Sequence, residues 1–132
     1  MPKEHKNQSE EEFQTGNQSN DICVTVDPGI CGFPCLITAR MLDARMVSLK
    51  ITGSECKQIQ RLAKCLGKIS MPELFTPVSR NPVYLAAEKS GCHTSCVIPA
   101  AVLKAVEVAM GMALPREVRI TFEPCRENTT ND

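Results

Sequence analysis

Cys35-Leu36-Ile37-Thr38-Ala39-Arg40-Met41, then Asp43-Ala44-Arg45, then Met46-Val47-Ser48-Leu49-Lys50-Ile51 is the stretch on which the fold turns. Its outer parts are rich in β-branched residues and alternate with the two-residue period of a strand, and the three residues between them read as a hairpin connection. Upstream, Ile22, Val24 and Val26 alternate with Cys23, Thr25 and Asp27 and are stopped by Pro28-Gly29, which adds a short strand. Three strands therefore precede any helix.

Downstream the period changes. Ser54 is placed to cap a helix with Ile59, Leu62, Ala63 and Leu66 on one face and Gly67 as its stop. Lys57, Arg61, Lys64 and Lys68 fall on the opposite face, the ordinary solvated side of an amphipathic helix. One helical turn is expected over residues 71–75, after Ser70 and with Pro72 near its start. Asn81 and Pro82 open a helix over residues 83–90, closed by Gly91. After the connection Cys92-His93-Thr94-Ser95-Cys96, Pro99 begins a last helix that runs to about Met112. Only Lys104 and Glu107 interrupt its apolar surface, so it is expected to lie buried against the sheet. Val118, Ile120 and Phe122 alternate with Arg119 and Thr121 and predict a final strand. The expected class is α+β, a mostly antiparallel sheet of about four strands with helices packed on one face.

Composition supports one domain of this kind. In 132 residues, 42% are apolar and 23% charged, which is ordinary globular usage. Residues 1–20 and 125–132 are polar and are expected to be disordered tails around a single domain at 21–124. The N-terminus has no apolar signal core, and the most apolar run, residues 97–103, is broken by Pro99 and is far below the ~20 residues of a membrane span. A cytoplasmic protein without a membrane partner is expected. Residues 21–122 carry twelve bases against eight acids, and the chain holds one Tyr, four Phe and no Trp. That small excess with few stacking rings argues against a nucleic-acid surface.

The informative residues are eight cysteines: Cys23, Cys31, Cys35, Cys56, Cys65, Cys92, Cys96 and Cys125. In a reducing compartment thiols in this number serve more often as metal ligands or redox groups than as structural disulfides. Cys31 lies in a Gly29-Ile30-Cys31-Gly32 loop, Cys56 at a helix start, and Cys92 and Cys96 flank the connection before the Pro99 helix. Helix N-termini stabilise thiolate, the form that binds metal, so Cys56 and Cys96 are expected to be prepared by two helix ends. Cys31, Cys56, Cys92 and Cys96 then form a four-sulfur shell, suited to an iron-sulfur cluster or to zinc. His93 is the alternative to Cys92 as fourth ligand. A competing pairing joins Cys31-x3-Cys35 with Cys92-x3-Cys96, although Cys35 starts a strand and is expected to face the core. Cys23 and Cys65 are expected to be small buried hydrophobes, and Cys125 an exposed bystander.

The stretches Gly29-Ile30-Cys31-Gly32-Phe33, Ser54-Glu55-Cys56, Pro82-Val83-Tyr84-Leu85-Ala86-Ala87 and residues 96–107 resemble a family of small uncharacterised proteins of anaerobic archaea and bacteria. The resemblance covers roughly residues 22–123. It rests on a Gly-x-Cys-Gly-Phe loop, an Asp/Ser-x-Cys helix start and a His-x-x-Cys-x-x-Pro segment, matched here by Cys31, Cys56, His93 and Cys96. It implies a thiol-centred site without naming a reaction, and its anaerobic range tips the choice of cofactor toward iron-sulfur over zinc.

Three functions compete. The first is a metal-binding protein acting through a protein partner or a second copy of itself. The second is a thiol oxidoreductase using Cys92 and Cys96, though the three-residue spacer departs from Cys-x-x-Cys and no thioredoxin-like strand-then-helix opening precedes it. The third is an adaptor whose cysteines are merely buried. Catalysis by Cys92 with His93 is disfavoured because adjacent side chains point apart, and phosphate-binding glycine patterns are missing.

Overall fold

The computed structural model describes residues 21–126. The tail expected at residues 1–20 lies outside the described residues, as do residues 127–132 of the tail expected at the other end. Strands β1 (Ile22–Val26), β2 (Cys35–Asp43), β3 (Met46–Thr52) and β4 (Lys68–Ser70) form one antiparallel sheet in the order β1-β2-β3-β4. Helices α1 (Lys57–Cys65), α2 (Met71–Leu74), α3 (Pro82–Ser90) and α4 (Ile98–Ala109) complete the α+β fold, with a 3-10 turn at Val78–Arg80. Among the described residues no helix is long and apolar enough to cross a membrane.

Alternation in β2 and β3 does what a one-sided sheet requires. Val26, Cys35, Ile37, Ala39, Val47, Leu49 and Ile51 are buried on the helix-covered face. Their neighbours Thr25, Leu36, Arg40 and Lys50 stand exposed on the other. In the hairpin, Asp43 Oδ1 accepts the Arg45 N–H at 2.9 Å, and the register shifts between Met41 and Asp43. Helix α4 packs across β1 and β2 and buries Ile98, Pro99, Val102, Ala105 and Val106, as its apolar surface predicted.

Cap chemistry fixes the shorter helices. Ser70 and Glu73 form a reciprocal capping box on α2, and Asn81 caps α3 through the Val83 N–H at 2.9 Å. Asn81 is only 3% exposed, and its amide also donates to the Glu73 carbonyl at 3.2 Å, tying α2 to α3. Gly91 closes α3 at φ 78°, a left-handed conformation that glycine adopts without steric penalty.

Several expectations about elements are corrected. Ser54 does not cap α1 directly: its hydroxyl accepts the Cys56 N–H at 3.1 Å, and Cys56 itself is the N-cap residue. Gly67 is not a helix stop, because the chain leaves α1 through an extended Leu66 and the Gly67 carbonyl accepts the Leu49 N–H at 2.8 Å. Lys68 thereby belongs to β4 and not to the basic helix face. The larger correction concerns the fourth strand, which is Lys68–Ser70. Residues 118–122, the expected final strand, pair with no strand among the described residues, and Val118, Ile120 and Phe122 are 63%, 68% and 93% exposed.

Candidate metal centre

The loop that carries Cys31 is a tight turn. The Gly32 N–H donates to the Gly29 carbonyl at 2.8 Å, and Gly29 and Gly32 have φ of 94° and 70°, which L side chains rarely adopt. Asp27 Oδ1 steadies the entry by accepting the Gly29 N–H at 3.2 Å. Cys31 is exposed on this turn, and four residues later Cys35 is buried at the start of β2. The same short segment thus presents one thiol to solvent and one to the interior.

Cys56 is half-buried at the N-terminus of α1, where its thiol donates to Gln58 Oε1 at 3.2 Å. Cys92 and Cys96 are half-buried in the connection between α3 and α4. The Cys92 N–H reaches back to the Ala87 carbonyl at 3.0 Å, and the Cys96 N–H closes a turn on the His93 carbonyl at 3.0 Å. That turn leaves the His93 side chain exposed.

Electrostatics link these segments. Burial pushes the Cys96 thiol above the ordinary thiol range; the Ile98 N–H, at the start of α4, works against burial, and charge on Cys31 and Cys56 adds to it. Cys92 is raised by burial first and then by Cys96 and Cys56, with Arg61 acting in the opposite sense. Cys35 is raised by burial and by Cys96 and Cys56. Such effects are strongest between groups that lie near one another in a medium of low dielectric constant. Thiols from the Cys31 loop, the head of β2, the head of α1 and the α3–α4 connection therefore share one electrostatic neighbourhood around Cys96.

Of the expected set, Cys96 is acted on by Cys31 and Cys56, and Cys92 by Cys96 and Cys56. The helix-end argument holds in direction for Cys96, since a first-turn N–H favours its thiolate, but burial outweighs it. Among the described residues, no three His, Cys, Asp or Glu side chains stand in an arrangement able to hold a metal ion.

Cys35 was expected in the core and is buried, and its thiol is raised by burial first and then by Cys96 and Cys56. Cys23 and Cys65 are not buried hydrophobes but exposed. Cys23 lies on the open face of the sheet beside Thr25, and Cys65 ends α1, 3.7 Å from the Ser90 hydroxyl. Cys125 is exposed, as expected. Within the basic stripe, Arg61 is more than a solvated residue: its Nε donates to the Ser90 carbonyl at 3.1 Å, which holds its charge beside the Cys92 segment.

A family model described as a family of unknown function, DUF6951, matches residues 22–122. No curated protein and no solved structure matches the chain.

Proposed function

The chain belongs to this family of unknown function, and from that premise we propose that it is a metal-binding protein holding an iron-sulfur cluster, or alternatively zinc, on cysteine thiolates. Cys31, Cys56 and Cys96 supply three ligands, with Cys92 as the fourth and His93 as its competitor. The observation that supports this reading is that, across separate elements, Cys31 and Cys56 disfavour charge on Cys96, and Cys96 and Cys56 disfavour it on Cys92 and Cys35. Structural thiols gain nothing from that arrangement, because it disfavours charge on Cys35, Cys92 and Cys96; a bound cation reverses the sign and stabilises its ligands as thiolates. The exposure of Cys31, on a turn built from two left-handed glycines, speaks against the adaptor reading for that residue. The half-buried Cys92 and exposed His93 favour the sulfur ligand. A cytoplasmic setting in an anaerobe and action through a protein partner complete the proposal.

The dithiol alternative needs a thiol that is readily ionised, whereas Cys92 and Cys96 are both raised. Metal analysis and a visible spectrum of protein purified without oxygen test the choice. Iron, acid-labile sulfide and a broad sulfur-to-iron absorption are expected; zinc without visible absorption identifies the alternative ion. Single replacements Cys31→Ser, Cys56→Ser and Cys96→Ser should each release the metal, while Cys23→Ser and Cys125→Ser retain it. Of Cys92→Ser and His93→Ala, the first should release it. Protein that takes up neither metal, even after reconstitution, overturns the reading.

A further inference from the structure

Val118, Ile120 and Phe122 alternate with Arg119 and Thr121, a strand pattern with no strand partner among the described residues. Among the described residues the hydrogen bonds of this stretch are local: the Arg116 N–H to the Leu114 carbonyl at 2.8 Å, and Arg119 to Glu117 at 3.0 Å. At the opposite end of the domain sequence, β1 is an edge strand of the same five-residue length, paired among the described residues only with β2. The other edge, β4, has three residues and runs straight into α2. An exposed edge of that length is a template for strand addition, and an apolar alternating segment is the element that adds to it.

We propose that residues 118–122 of one copy add as a strand to the β1 edge of a second copy, and that the exchange is reciprocal about a two-fold axis. Edge and segment are present once in every chain, so two copies satisfy both at once in a closed dimer. Chemistry selects this occupant. An antiparallel register with Arg119 opposite the exposed Asp27 also sets Thr121 opposite Thr25, and Ile120 and Phe122 opposite Val26 and Val24. Val24 and Val26 lie on the helix-covered face, so Ile120 and Phe122 would extend that face past β1. There α4 packs under β1, with Leu103 on it and Met110 just past its end partly buried. The exchange would bury the apolar side chains that one copy leaves in solvent.

The test is the mass of the full chain in reducing buffer by light scattering, at concentrations up to about 100 μM, alongside Thr121→Pro. Thr121 would stand opposite Thr25, whose backbone groups face away from β2, so proline there removes a ladder N–H. Thr121 is exposed in one copy, so the folded monomer is retained, as an unchanged circular dichroism spectrum would verify. Twice the 14.5 kDa chain mass for the parent and a single chain mass for Thr121→Pro are expected. Amide hydrogens of residues 118–122 should be protected from exchange in the parent dimer and unprotected in the variant. A parent that is monomeric throughout overturns the proposal, and protection of 118–122 within that monomer would identify pairing inside one chain. A dimer that survives Thr121→Pro also overturns it.

Discussion

Replacing Asn81 by alanine should destabilise the domain more than any loss of surface polarity would. Its Oδ1 accepts the Val83 N–H at 2.9 Å, capping α3, and its Nδ2 donates to the Glu73 carbonyl at 3.2 Å, with the Thr76 and Leu74 carbonyls at 3.4 and 3.5 Å. At 3% exposure, little water can replace these bonds. Loss of the cap is worth about 1 kcal/mol. Leaving a buried carbonyl without its donor adds roughly 1–2 kcal/mol. The sum is about 2–3 kcal/mol, which for a domain near 100 residues moves a urea midpoint down by roughly 1.5–2 M. Asn81→Ser separates the two parts, because serine still caps the helix but cannot reach the α2 carbonyls. Its loss should be about half that of Asn81→Ala. A midpoint for Asn81→Ala within about 0.3 M of the parent, or equal losses for the two variants, would refute the assignment of Asn81 as a joint between α2 and α3.

Val102→Asp should bury an unpaired carboxylate in α4, where Val102 is 0% exposed, and destabilise by several kcal/mol, about 3 or more, read by urea or thermal melting. A variant that melts like the parent would show that α4 is not central to the core. Stability of the metal-free protein should fall as pH rises above the ordinary thiol range of about 8.5. There the unfolded chain releases thiol protons that folded Cys35, Cys92 and Cys96 still hold, so the contribution is complete below that range and is lost above it. Urea midpoints between pH 8 and 10 measure the decline, which Cys35→Ala should make shallower. Metal affinity should change in the opposite direction and strengthen with pH, by up to about tenfold per unit for each proton displaced, as a competition titration would record.

Residues 35–52 were readable because a sheet with one covered face writes its burial directly into alternation. The start of α3 was equally readable, since Asn81 and Pro82 act locally, and so was its end at Gly91. β4 left no such mark: three residues are too few to show a period, and Gly67 beside them resembles a helix stop while serving the sheet through its carbonyl. Residues 118–122 carry the local signal of a strand, but a strand also needs a neighbour, and that depends on tertiary or intermolecular pairing. The cysteines divide in the same way. Loop and helix-end placement marked Cys31, Cys56, Cys92 and Cys96, whereas the exposure of Cys23 and Cys65 depends on which face of their elements turns inward. Cys35 is both core and neighbour to the other thiols because β2 begins where the Cys31 loop ends.

The claim that thiols around Cys96 form one metal site is tested most directly by which cysteines a metal shields from alkylation. Reduced protein would be labelled with iodoacetamide, with and without one equivalent of zinc, and each cysteine quantified by peptide mass spectrometry. Zinc should protect Cys31, Cys56, Cys92 and Cys96 together while Cys23, Cys65 and Cys125 label at unchanged rates. Protection that is absent, or that falls equally on Cys23, Cys65 and Cys125, would contradict a common site.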